Sequence, residues 1–577
     1  MRDSILNPSF FMKRFALIVF LIVSLSVFAQ NERQYVPVNP LVGSFATQWT
    51  TYAGSTDTDE LLCVQDMPDK GVVVCGRTMS TNFPGTDSLD TLAGQYDMVI
   101  FRMDSLGQIL WTTIYGGQYY ESANALVVYD TSIYVVGVTN GNDCPMINAY
   151  QSTQAGSYDA LILRLGFDGT IQQSSYFGSN GAEMGYGIDV DSTGLVVIGG
   201  ATTSASLPMS SLGYQQANAG ANDCFITVLN ASFAPQWTTF YGGTSTEDVH
   251  TLRVTPRNQI VVCGGSFSTN FPCTANAFQP GKIGVCDAYY IVFGMDASRK
   301  YATYYGGSGN EDCFGLAGDA NGNIYLAGHT SSIDFNTAGT VYQPMYHGVN
   351  DAWITRFDST GVPYFSTFFG GANDDKTWCM VQRDSFIYVC GVTGSSDFPV
   401  NVIVPQDSFA GSTDGWIAKF DTSGNYITSS YFGGSGADDM MSVTVNSDTI
   451  ATVIGITYSN NLPVLNPYQA NYSASGDGFA TRYKLSEMWF SSGLTESTAS
   501  GDPNRVYPNP ADESFHVRSL NPIDECYVTS LTGEIVAIDV LYAGNEADVN
   551  CSMLNSGVYF VHIVSGAIVS TSKIIVK

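Results

Sequence analysis

Short apolar-rich runs, some alternating with polar residues at a period of two, recur along the chain and are separated by Gly, Asn, Asp and Pro. Asp351-Ala352-Trp353-Ile354-Thr355-Arg356-Phe357 is one such run and reads as a half-buried strand. Asp358-Ser359-Thr360-Gly361 follows as a turn, and Val362–Phe369 reads as another strand. Upstream, Asp312–Asp319 and Asn323–Thr330 flank the Asn321-Gly322 turn. A loop of about twenty residues containing Gln343-Pro344 then leads to Asp351. The pattern predicts four short antiparallel strands, here called a to d from the inner strand outward.

This unit recurs. An anchor of the type aromatic-Gly-Gly stands at Ala53-Gly54-Ser55, Tyr115-Gly116-Gly117, Phe177-Gly178-Ser179, Tyr241-Gly242-Gly243, Tyr305-Gly306-Gly307, Phe369-Gly370-Gly371 and Phe432-Gly433-Gly434. Its first glycines are spaced by 62, 62, 64, 64, 64 and 63 residues. An Asp opening strand c keeps the same beat at Asp97, Asp159, Asp223, Asp287, Asp351, Asp414 and Asp477. Four short strands per repeat of this length make the blade of a β-propeller. A d-type strand, Ala46–Tyr52, precedes the first anchor, and the last unit stops after its c-type strand, Gly478–Leu485. The expectation is an all-β, seven-bladed propeller over residues 45–486, with the N-terminal strand completing the last blade and removing two bare edges. An open solenoid would leave those edges exposed.

The flanks read differently. Met12-Lys13-Arg14 followed by the apolar run Phe15–Phe28 and by Val27-Phe28-Ala29 predicts a signal peptide over 1–29, too short to span a bilayer. Residues 30–44 form an N-terminal lead, and no later apolar run is long enough to cross a membrane in the mature chain. Residues 487–504 have the small, polar composition of a linker. Alternation around Tyr527–Ser530 and Tyr559–Val564 predicts a small Ig-like β-sandwich over 505–577. Charge narrows the partners: 23 basic residues against 52 acidic ones give −29, the wrong field for nucleic acid. Cations and neutral polar ligands stay open.

Tyr305-Gly306-Gly307-Ser308-Gly309-Asn310-Glu311-Asp312, Asn323-Ile324-Tyr325-Leu326-Ala327-Gly328-His329-Thr330 and Asp397-Phe398-Pro399 resemble the bacterial SBBP β-propeller repeat, over roughly residues 46–485. Blade 1 departs at its anchor, and blades 3 and 4 lack the basic residue of strand c. The resemblance implies an extracellular propeller without a defined chemistry. Val506-Tyr507-Pro508-Asn509-Pro510, Leu531-Thr532-Gly533-Glu534, Leu554-Asn555-Ser556-Gly557-Val558-Tyr559 and Lys573-Ile574-Ile575-Val576-Lys577 resemble the type A sorting domain of the type IX secretion system. That resemblance implies handling by the secretion machinery, removal of the tail, and a product released or anchored at the surface. An adhesion module of Ig type is the alternative.

Several constellations bear on function. Asp59, Glu121, Glu183, Glu247, Glu311, Asp375 and Asp438 stand five residues after each anchor glycine, at the start of strand a. Clustered oxygens suit a hard cation such as calcium, while the structural alternative has each carboxylate capping its own d–a turn. Arg102, Arg164, Arg356, Lys419 and Arg482 lie five residues after a strand-c Asp, and a cross-blade ion pair is expected for them. The long b–c loops carry Tyr150, Tyr214, Phe278, Tyr342 and Tyr468, each followed by Gln. These form either a ligand face for a glycan or protein, or wedges that pack each loop. Among twelve cysteines, Cys63 and Cys75, and Cys379 and Cys390, fall opposite each other across strands a and b, as candidate disulfides or buried thiols. No catalytic or cofactor motif is present. The reading is a secreted or cell-surface binding, adhesion or structural module, with a carbohydrate-active enzyme using channel carboxylates as the alternative.

Overall fold

The computed structural model describes residues 44–486, apart from 87–91, 93, 402–403 and 474, and most of 505–576. The signal peptide, the lead up to residue 43 and the linker over 487–504 lie outside the described residues. Within 44–486 the strands form seven four-stranded antiparallel sheets. Blades 1 to 6 use consecutive strands over 59–115, 121–177, 183–241, 247–305, 311–369 and 375–432. Blade 7 takes Asp438–Val445, Ile450–Thr457 and Asp477–Ser486, and its fourth strand is Ser44–Ala53, paired antiparallel with Asp477–Ser486. The strand-a segments are Asp59–Asp66, Glu121–Tyr129, Glu183–Val190, Glu247–Val254, Glu311–Gly318, Asp375–Arg383 and Asp438–Val445. A cavity of ≈ 230 Å³ is lined by residues of all seven, Gln65, Asp189, Arg253 and Thr444 among them, so these strands surround one channel.

Packing between blades overrides one local expectation. Strand c of blade 5, Asp351–Phe357, is buried on both faces except at Arg356, not half-buried. Each sheet lies between two others, so both of its faces need apolar side chains. Blades 4 and 5 show this, with Cys263, Tyr290 and Tyr301 of one meeting Cys313, Trp353 and Phe357 of the other in one core cluster.

The strand-c cations also find other partners than expected. Arg164 donates to the Ala231 carbonyl at 3.3 Å, Arg356 to Thr422 at 2.7 Å and Arg482 to Lys70 at 2.8 Å, each in the next blade. Arg102 reaches the Phe167 carbonyl at 2.9 Å and also pairs with Asp69 of its own blade, while Lys419 lies 3.7 Å above the Phe386 ring. Turn carbonyls unused by the ladder are the acceptors within reach, and they take the place of the cross-blade carboxylates. Tryptophans of the outer strand bridge in the same direction, Trp49 to Ser105 at 3.1 Å and Trp111 to Phe167 at 3.0 Å.

The tail is a second unit. One sheet holds Arg505–Tyr507, Ser514–Arg518, Glu546–Asn550 and Asp539–Ala543; the other holds Ile535–Val536, Glu525–Ser530, Gly557–Ser565 and Ile568–Val576. Phe515, Val517 and Val549 from the first meet Val528, Val561 and Ile563 from the second in one core, which makes a β-sandwich.

Candidate functional site

The seven strand-a carboxylates sit at the blade junctions, buried and bonded. Glu311 accepts the Gly307 N–H at 2.7 Å and the Thr330 hydroxyl at 2.6 Å, with Ser332 as a third donor. The Asp59, Glu121, Glu183, Glu247, Asp375 and Asp438 carboxylates likewise accept from the N–H of the residue immediately after their anchor Gly: Ser55, Gly117, Ser179, Gly243, Gly371 and Gly434. Beside each lies the strand-c Asp of the preceding sheet. A Cβ on Gly306 would stand 2.5 Å from Glu311 Oε2 and 3.0 Å from Asp287 Cγ, and one on Gly370 2.9 Å from Asp375 Oδ2 and 3.1 Å from Asp351 Oδ1. The anchor glycine is therefore the gap that lets two carboxyl groups meet. Burial, with the neighbouring acid adding to it, pushes Asp351 up to about 7, and burial pushes Asp59, Asp159, Asp223, Asp375 and Asp414 up to about 6. Among the described residues no group of three or more His, Cys, Asp or Glu side chains is placed to hold a metal ion.

The glutamines of the b–c loops complete this junction. Gln343 Nε2 donates to Asp351 at 2.8 Å, and its Oε1 accepts the Gly370 N–H at 2.9 Å. Gln151, Gln215, Gln279 and Gln406 clasp Asp159, Asp223, Asp287 and Asp414 in the same way. The aromatic residues before them do not converge. Tyr214 packs between Tyr241 and the Arg299 guanidinium, Phe278 against Tyr305 and Phe357, and Tyr342 against Phe369 and Tyr426. Tyr150, Tyr214 and Tyr468 all keep much of their surface exposed.

The cysteine pairs are register partners as the spacing predicts, Cys63 opposite Cys75 and Cys379 opposite Cys390, and they stand as free thiols. A hydrogen bond from Cys390 holds Cys379 down to about 6, while burial pushes Cys390 well up.

What the repeat pattern conceals is a bulge in every strand a. The a–b register slips at the same place in all seven blades and leaves Leu62, Asn124, Tyr186, His250, Phe314, Trp378 and Met441 unpaired. A bulge bends its strand and re-aims the extra side chain. Neighbouring bulge residues meet around the channel: Asn124 donates to the Gly185 carbonyl at 2.8 Å, His250 stacks on Phe314 at 3.8 Å, and Phe314 meets Trp378 edge-on at 5.0 Å. Strand b carried the signal, a glycine facing each bulge. A Cβ on Gly76, Gly137, Gly200, Gly264, Gly328, Gly391 or Gly455 would come within 2 Å of a strand-a carbonyl.

Two positions before the bulge, at the start of strand a, stand Glu60, Ser122, Met184, Asp248, Asp312, Lys376 and Asp439; Ser122 is buried, and the six half-buried others rim this channel mouth. His250 Nε2 lies 3.0 Å from Asp312 Oδ2, and Lys376 2.7 Å from Asp374. Burial pushes Asp439 up to about 6 and raises Asp248. The start of each strand c bridges the start of the next strand a, as Tyr158 does Ala182, so the mouth opens on the side of the d–a and b–c connections.

Residues 505–577 match the family described as a secretion system C-terminal sorting domain, and residues 300–336 match the β-propeller repeat of SBBP type. The chain carries an SBBP propeller repeat and a type IX sorting domain. The sorting domain marks the chain for the type IX machinery and for export to the cell surface or the medium. No helix among the described residues is long and apolar enough to cross a membrane. No curated protein matches the sequence. Among solved structures, the Pan2 WD40 domain of Neurospora crassa is similar over 78% of this chain and 97% of its own, at 8% identity and a TM-score of 0.38. A protein of unknown function from Dyadobacter fermentans is similar over 77% and 100%, at 8% identity and 0.33. The PQQ-bound aldose sugar dehydrogenase of Streptomyces coelicolor is similar over 61% and 98%, at 11% identity and 0.29. At these values none carries an argument about activity.

Proposed function

We propose that this exported propeller is a binding module of the cell surface or its surroundings, taking a glycan or protein ligand at the channel mouth on the b–c side. One observation carries the reading. The repeated acids, glutamines and glycines are bonded to one another at the blade junctions, whereas the bulge and rim positions differ from blade to blade. A rigid repeat scaffold with one variable ring is how a propeller presents a specific site. The engagement of the strand-a carboxylates counts against the enzyme alternative, which needs them free.

The test uses the full chain, immobilised, with purified polysaccharides and extracellular-matrix proteins as analytes in interferometry. Asp248→Lys with Asp439→Lys should abolish whatever binding the wild type shows, and Ser359→Lys, in the tight c–d turn of blade 5, should leave it intact. The reverse pattern would place the ligand on the other face and sink the proposal.

A further inference from the structure

Five tryptophans give their indole N–H to a backbone carbonyl: Trp49 to Ser105, Trp111 to Phe167, Trp237 to Met295, Trp353 to His329 and Trp416 to Val392. Trp378, at the bulge of blade 6, has its Nε1 buried without a partner. His329 Nδ1, on strand b of blade 5, is buried and unpartnered too, and the two rings lie 6.4 Å apart at 75°. Burial pulls the His329 imidazole down to about 4, so it is neutral at physiological pH. Phe314 is stacked between His250 at 3.8 Å and His329 at 5.4 Å, which fixes both imidazoles. An unpaired buried donor is expensive, and here two orphaned nitrogens belong to rings whose centroids lie 6.4 Å apart, with Asp312 the register partner of His329 and Lys376 two residues before Trp378.

The geometry points to a subsite for one pyranose ring of a neutral glycan, bounded by Trp378, His329, Phe314, His250 and Asp312. The inference rests on the channel mouth being the binding face and names the ligand class for it. A hydroxyl can accept from an indole N–H and can equally donate to or accept from a neutral imidazole nitrogen, so a ring bearing several hydroxyls offers a partner to each of the two orphaned groups. Asp312, with 22% of its side chain exposed, offers an acceptor to a second hydroxyl, and Lys376, with 29% exposed, offers a donor. The half-buried Trp378 indole supplies the aromatic surface on which a sugar's C–H face packs. Asp248, Asp312, Asp374 and Asp439 around one lysine repel an anionic sugar. A simple ammonium ligand would suit those carboxylates but would leave the Trp378 N–H without an acceptor.

Maltotriose, cellotriose, mannotriose and triacetylchitotriose are the probes, titrated into the full chain by calorimetry and by tryptophan emission. At least one should bind and change the emission. Trp378→Phe, which keeps the ring and deletes the N–H, should weaken that binding about tenfold or more and remove the emission change. His329→Phe should weaken it similarly, and Asp312→Asn serves as the independent variant if either fails to melt cooperatively. Unchanged affinity in these variants would overturn the subsite. So would failure of all four saccharides, or an ordered water bridging Trp378 and His329 that persists in a saccharide-soaked crystal. A mouth that binds only a protein analyte, still sensitive to Asp248→Lys with Asp439→Lys, would overturn the sugar assignment and leave the binding-module reading standing.

Discussion

Asp351 shows how much a single repeat residue is asked to do. One carboxyl oxygen accepts from Gln343 and from the His347 N–H, while the other is buried without a partner, facing Asp375 across Gly370. Its pKa of about 7 lies above the ordinary value of ~3.9, so the folded state holds the proton more tightly than the unfolded chain. The stabilisation is then complete below pH ~4 and is lost as pH rises through about 7. The melting temperature of the full chain should fall between pH 5 and pH 8. In Asp351→Asn the neutral amide can donate toward Asp375, so the fall should be shallower and the variant at least as stable as wild type at pH 8. Parallel melting curves for the two would refute this. The spacing made Asp351 visible as a landmark, but the burial that raises its pKa is a product of packing, and the acid that adds to it, Asp375, belongs to another blade.

At the scale of elements, the first described strand stands apart. Ser44–Ala53 joins Asp477–Ser486, more than 400 residues away in sequence, and its Trp49 continues into blade 1 through the Ser105 carbonyl. Removing residues 30–53 should leave Asp477–Ser486 as a bare edge, lower the melting temperature by many degrees and produce oligomers by strand addition. A peptide of residues 44–53 added in trans should recover part of the loss. A truncated chain that melts like the full one and stays monomeric would show that this pairing contributes little. The need for a d strand in the last unit was legible from counting strands. The bulge was not, because an extra residue in strand a shifts the two-residue alternation and moves Phe314 and Trp378 off the face that periodicity assigns to them.

For the whole molecule, the two units separate folding from delivery. The propeller's sheets and cores contain no residue of 505–577, and the tail has a core of its own. Deleting Arg505–Lys577 should leave the propeller's melting transition unchanged and strand the protein in the periplasm of a host with a type IX system, as fractionation and immunoblotting would read. Normal amounts of the truncated chain outside the cell would show that export does not depend on this tail.

By itself the sequence determined the beat of the repeat, four strands to a unit, the strand wanting at the end of the array and the exported destination. All of these are written in local period and in motifs, where turn residues and alternation act over a few neighbours. Only the tertiary structure decided which repeated residues are used up and which are left over. Glu311 meets Thr330, Asp351 meets Gly370 and Asp375, and Trp378 meets His329 and Phe314 across sheets. Polar groups are satisfied or stranded by whatever packs against them, and in a ring of blades that neighbour lies tens of residues away along the chain.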